Sequence, residues 1–133
     1  MFNNNYQTEA RKRYGETAAY KEYEQKTANY NKEKMQNIND GLMAIFSKFA
    51  ACKQSCNTVD SNEAQALVKE LQEYITQNYY TCTNEILAGL GKMYVADERF
   101  KNNIDKYGSG TAEFASQAIE IYVRLLRNTG ENK

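Results

Sequence analysis

The side chains of this chain best equipped for chemistry are three cysteines and eleven tyrosines, and there is no histidine at all. The lack of histidine removes the group most used for proton transfer near neutral pH and the commonest transition-metal ligand. Cys52 and Cys56 stand at a C-x3-C spacing that would supply half of a zinc site. A closed zinc site needs four ligands, and Cys82 is the one further cysteine, so no metal is expected. Cys82 lies among apolar neighbours, where a thiol serves more often as a small core group than as a nucleophile. Asp97 and Asp105 are the carboxylate pair that catalysis would call on. Asp97 has a complete explanation as a helix cap and Asp105 as a solvated charge, so neither an enzyme nor a cofactor is expected.

The tyrosines carry the other possibility. A phenol has a flat apolar face and a polar tip, which suits stacking on heteroaromatic rings while bonding their heteroatoms. Tyr6, Tyr14, Tyr20, Tyr23 and Tyr30 all fall within residues 1–33, a stretch without Leu, Ile or Val. Burying five phenols returns less free energy than ordering that much backbone costs. Residues 1–33 therefore read as a labile, Tyr-rich lid that is stabilised by what it folds onto, and residues 34–133 as the body.

The elements that position these groups are helices. A chain of 133 residues without proline fits one domain of long, uninterrupted helices. In the opening segment, Gly15 is a candidate stop and Thr17 a candidate cap. Asn31 can cap the next helix, where Met35, Ile38, Leu42, Ile45 and Phe49 recur at steps of three and four. The polar stretch 52–62 reads as a loop, with Asp60 and Glu63 as a capping box for a helix carrying Leu67, Val68, Leu71, Tyr74 and Ile75. A further helix starts between Thr81 and Asn84 and aligns Ile86, Leu87, Leu90, Met93 and Tyr94. Asp97 caps a short helix ended by Gly108. Thr111 caps the last, whose stripe of Phe114, Ala118, Ile119, Tyr122, Leu125 and Leu126 is apolar enough to form the centre of the core. The fold class is all-α, with about five ordered helices plus the labile N-terminal ones.

Seventeen basic and seventeen acidic side chains cancel, leaving no net field to draw the chain onto nucleic acid or an anionic membrane. No signal sequence or spanning stretch is present, and the odd cysteine count suits free thiols in a reducing compartment, so a cytoplasmic location is expected.

The run YYTCTNEILAGLGKMYVADERFKNNIDKYGSG, residues 79–110, resembles the TipAS antibiotic-recognition domain found at the C-terminus of drug-responsive MerR-family transcription regulators, nearest the Mta-like branch. RYGETAAYKEYEQKTANYNKE, residues 13–33, is similar to the opening of the same family, so the likeness covers about residues 6–123. It implies a globin-like helical fold with a cleft for bulky heteroaromatic antibiotics of thiopeptide or albicidin type, closed by an N-terminal part that orders when ligand arrives. Candidate ligand-binding residues are Tyr74, Tyr79, Cys82, Thr83 and Ile86, continued by Leu87, Met93, Tyr94, Asp97 and Phe100. Tyr14, Tyr20, Tyr23 and Tyr30 are the candidate lid residues.

Family members usually carry a winged helix and a coiled coil before this domain. With neither ahead of it, this chain is expected to be a stand-alone product or a fragment, dimeric only through such a coiled coil. The second cysteine with which the thiopeptide-capturing member adds to its drug corresponds to Gly89, so covalent capture by that route is not implied. Family histidines correspond to Tyr74 and Tyr79, and a tryptophan to Met35, which alters the polar contacts of the lining. The rival to drug binding is a groove that takes a partner helix.

Overall fold

The computed structural model describes the backbone of residues 18–129 and the side chains of residues 20–126. Among these are six helices: α1 (Ala18–Thr27), α2 (Lys32–Gln54), α3 (Asn62–Asn78), α4 (Asn84–Ala96), α5 (Glu98–Asp105) and α6 (Thr111–Thr129). The architecture is all-α, as the periodicity requires. Tyr6, Tyr14, Gly15 and Thr17 lie outside the described residues.

Helix α2 begins where expected, with the Asn31 side chain accepting from the Lys34 amide at 2.7 Å. Its buried face holds Ile38, Leu42, Ile45 and Phe49, widened by Phe46, Ala50 and Cys52, whereas Met35 is half-buried. The helix closes with a left-handed residue that is not glycine. Cys56 has φ 67°, its amide bonds Lys53 O at 3.0 Å, and the Asn57 amide bonds Cys52 O at 3.3 Å. That pair of bonds is a Schellman closure, which glycine makes without steric cost.

Two expected caps are corrected. Ser61, one residue after Asp60, caps α3 by accepting from the Ala64 amide at 3.1 Å, while Asp60 accepts from the Thr58 hydroxyl. At α6, Thr111 is already helical and its hydroxyl donates to Gly108 O at 2.6 Å. The acceptor for that helix end is Asp105, which takes the Ala112 amide at 2.8 Å. Asp105 is thus no free surface charge: it sits against the positive end of α6, where a carboxylate is stabilised. It also ends α5, three residues before Gly108, and Gly110 makes the turn at φ 82°.

Asp97 closes α4 and opens α5 at once, its amide donating to Met93 O at 2.9 Å and its carboxylate accepting from the Arg99 amide at 2.9 Å. Helix α6 packs on α2, α3, α4 and α5 and forms the centre of the core, with Ala112, Ala115, Ala118, Ile119 and Val123 buried. Its stripe leaves the core before its end, for Leu125 is 51 % exposed. Close approach of α4 to α6 uses Gly91, where an added methyl would stand 3.1 Å from Ile119. Tyr94 meets Phe46 edge-on at 5.1 Å and Phe100 at 5.8 Å, joining α4 to α2 and α5.

Replacing Cys56 by glycine removes the left-handed penalty of about 1–2 kcal/mol and loses part of that gain to the freer unfolded chain. Cys56→Gly is expected to raise stability by about 0.5–1 kcal/mol, read as a higher urea midpoint at unchanged slope.

Candidate functional site

Residues 79–83 link α3 to α4, and the tyrosines at the end of α3 fix that link to α2. The Tyr74 hydroxyl donates to Ile38 O at 2.6 Å, and the Tyr79 hydroxyl donates to Asn39 Oδ1 at 2.6 Å. Tyr79 also ends α3 through its amide, which bonds Ile75 O at 2.8 Å. Its ring has no exposed surface, and that burial raises its phenol pKa far above the ordinary range. Tyr74 is half-buried, and burial followed by the nearby charge of Asp40 raises its pKa too. Gly41 makes room for it, because a methyl there would overlap the Tyr74 hydroxyl.

The rest of the link is held by its own backbone. Thr76 Oγ1 accepts from the Cys82 amide at 3.0 Å, and Gln72 Nε2 donates to Cys82 O and to Asn84 Oδ1, both at 2.9 Å. The Cys82 thiol is 4 % exposed, and burial pushes its pKa up to about 12, so it is a protonated core group at neutral pH. Thr83 is exposed and caps α4 by accepting from the Ile86 amide at 3.2 Å.

Helix α1 covers this link, and polar groups seat it. The last carbonyls of a helix have no partner within it, and α3 has no basic residue in its last turn. Lys26 of α1 donates to Thr76 O at 2.8 Å, and the Tyr30 hydroxyl donates to Asn78 O at 3.1 Å. Lys26 therefore brings a positive charge to the negative end of α3. Glu22 accepts from the Thr81 amide at 2.9 Å and the Thr81 hydroxyl at 2.8 Å. The amide, then the hydroxyl, hold its carboxyl below the usual range. Beside this grip the Tyr23 ring stacks on Tyr79, centroids 6.2 Å apart and planes 18° from parallel, and Tyr20 stands 5.6 Å from Tyr23. Tyr23 is half-buried, and burial raises its pKa.

The structure brings Tyr74, Tyr79, Cys82 and Thr83 together at this link, with Tyr20, Tyr23 and Tyr30 supplied by α1; Tyr14 lies outside the described residues. Ile86 and Met93, with Leu90 between them, form a half-buried apolar flank of α4. Leu87, Tyr94 and Phe100 are sealed in the core at 0, 2 and 1 % exposure, and as placed they back the site rather than face it. Asp97 is taken up by the cap and by Arg99, at 3.0 Å, whose guanidinium holds its carboxyl below the usual range. Gly89 is exposed, with nothing within 4 Å of the position an added methyl would take.

Sequence reasoning missed Glu22, Lys26, Asn39 and Thr81. Glu22 and Lys26 stand one helical turn apart, which from sequence alone describes a solvated ion pair. Among the described residues no group of three or more His, Cys, Asp or Glu could hold a metal ion, and no helix is long and apolar enough to cross a membrane.

This is an all-helical domain in which α1 and the end of α3 gather tyrosines at one junction. The model of the TipAS antibiotic-recognition domain matches residues 6–122, and the chain belongs to that family. It is 38 % identical over 114 residues to the HTH-type transcriptional activator TipA of Streptomyces coelicolor, covering 86 % of this chain and 45 % of that protein. It is also 38 % identical over 117 residues to the HTH-type transcriptional activator mta of Bacillus subtilis, covering 88 % of this chain and 44 % of that one. The chain thus spans less than half the length of these relatives. Among solved structures, TipAS of Streptomyces lividans in complex with nosiheptide matches with a TM-score of 0.80 and 36 % identity, over 94 % of this chain and 86 % of that one.

Two outcomes follow from the local chemistry. Gly41→Ala is expected to cost about 1–3 kcal/mol by overpacking against Tyr74, measured by urea unfolding. Under iodoacetamide at pH 8, mass spectrometry of the native protein is expected to find Cys56 labelled first. Cys52 and Cys82, both buried, are expected to take label only as fast as the protein opens.

Proposed function

We propose that the chain binds bulky, planar heteroaromatic antibiotics of the thiopeptide kind, as the effector domain of a drug-responsive transcription regulator or as a sequestering protein. The observation that carries this reading is the likeness, over 94 % of the chain, to a TipAS structure described as a complex with nosiheptide. The candidate contact surface comprises Tyr74, Tyr79, Thr83, Ile86 and Met93, faced by Tyr20, Tyr23 and Tyr30 of α1, with Cys82, Leu87, Tyr94, Asp97 and Phe100 as its support. Phenols supply stacking faces and polar tips, and methionine adapts to irregular shapes. Capture is non-covalent at position 89, since glycine offers no nucleophile. The domain works in the cytoplasm, without catalysis, and any attached regulator responds through the difference in ligand affinity between its conformations.

The helix-in-groove alternative finds little purchase, since among the described residues Leu125 is the one exposed large apolar side chain.

Calorimetric titration with nosiheptide tests the reading. Binding is expected, weakened about tenfold, or about 1.4 kcal/mol, by Met93→Ala and by Ile86→Ala. Absence of binding to nosiheptide and to other planar heteroaromatic antibiotics would contradict it.

A further inference from the structure

We propose that the Tyr23 hydroxyl is a specificity-determining donor of the junction, one that reads an acceptor atom at the edge of a bound heteroaromatic ring. This rests on the antibiotic-binding reading above and adds to it the polar atom that the ligand must present.

Of Tyr23, Tyr30, Tyr74 and Tyr79, three spend their hydroxyls on the protein itself. Tyr74 donates to Ile38 O and Tyr79 to Asn39 Oδ1, both at 2.6 Å, and Tyr30 donates to Asn78 O at 3.1 Å. To bond a ligand as donors, these three would first have to give up a bond within the fold. Tyr23 differs from them. Its hydroxyl meets no hydrogen-bond partner among the described residues, and no buried side-chain oxygen among them lacks a partner, so this half-buried side chain carries its tip to water.

The ring behind that tip is held in place. Tyr79 lies 6.2 Å away and nearly parallel, and Tyr20 stands 5.6 Å away on the same helix. Two aromatic neighbours thus fix where the hydroxyl points before any ligand arrives, and little rotamer freedom is left to lose on binding. Burial keeps the phenol protonated at neutral pH, so the hydroxyl is available as a donor. A flat hydrocarbon would strip water from that donor and return nothing, whereas an azole or pyridine nitrogen, or a carbonyl attached to the ring, replaces the lost bond. The donor therefore selects heteroaromatic rings over plain aromatic ones of the same area.

Tyr23→Phe tests this, because it keeps the ring and removes only the hydroxyl. Calorimetric titration with nosiheptide is expected to show binding about fivefold weaker than in the wild type. The urea midpoint is expected to stay unchanged, as is the hydrogen-exchange rate of the Thr81 amide, which Glu22 of α1 accepts. Equal affinity in wild type and Tyr23→Phe overturns the role of the hydroxyl and leaves the antibiotic-binding reading standing. Weaker binding accompanied by a lower midpoint or a faster Thr81 amide also overturns it, since the hydroxyl would then serve the fold. Failure of the wild type to bind nosiheptide and other planar heteroaromatic antibiotics overturns the proposal together with the reading it rests on.

Discussion

Tyr79 closes α3 with its backbone, while its side chain leaves that helix for another: the hydroxyl donates to Asn39 of α2 and the ring lies under Tyr23 of α1. Three elements meet on this one residue. A buried phenol without its acceptor would leave a polar group unpaired, a cost comparable to that of the hydrogen bond itself, so the Asn39 bond keeps the ring where α1 finds it. Tyr74 repeats the arrangement five residues earlier through Ile38 O, with Gly41 making the space. The two hydroxyls bond consecutive residues of α2 and fix where α3 ends. That end in turn sets the carbonyls on which Lys26 and Tyr30 seat α1.

The body of the fold was legible in the residues because a buried helix face repeats every three or four positions. The stripes Ile38–Leu42–Ile45–Phe49 and Val68–Leu71–Ile75 could be read directly, as could Asn31 and Asp97 beside the helices they cap, whereas the start of α4 was placed only between Thr81 and Asn84 and its cap is Thr83. Where two polar residues compete for one cap, sequence does not decide. Asp60 and Ser61 both satisfy the pattern, and backbone geometry gives the role to Ser61. Asp105 caps α6 from across a turn, a contact over seven positions that no local pattern encodes.

The site was legible only in part, and for a different reason. Periodicity tells which side of a helix is apolar, not whether the space it faces is filled, so Leu87 and Tyr94 could not be separated from Ile86 and Met93. The seat of α1 was hidden because it is made of Glu22, Lys26 and Thr81, residue types that ordinarily face water, joined to partners some fifty or sixty positions away. An opening segment poor in aliphatic side chains was expected to need a surface to fold onto. For residues 18–27 the structure supplies that surface within the chain itself, at the end of α3 and the link that follows it.

The central claim is that Tyr79, bonded to Asn39 and stacked under Tyr23, joins α1, α2 and α3. Selective labelling of tyrosine rings allows ring-to-ring nuclear Overhauser contacts to be recorded in the wild type and in Asn39→Ala. The account predicts a Tyr23–Tyr79 contact in the wild type that weakens or disappears in Asn39→Ala. A contact that persists unchanged in Asn39→Ala, or that is missing from the wild type, would contradict it.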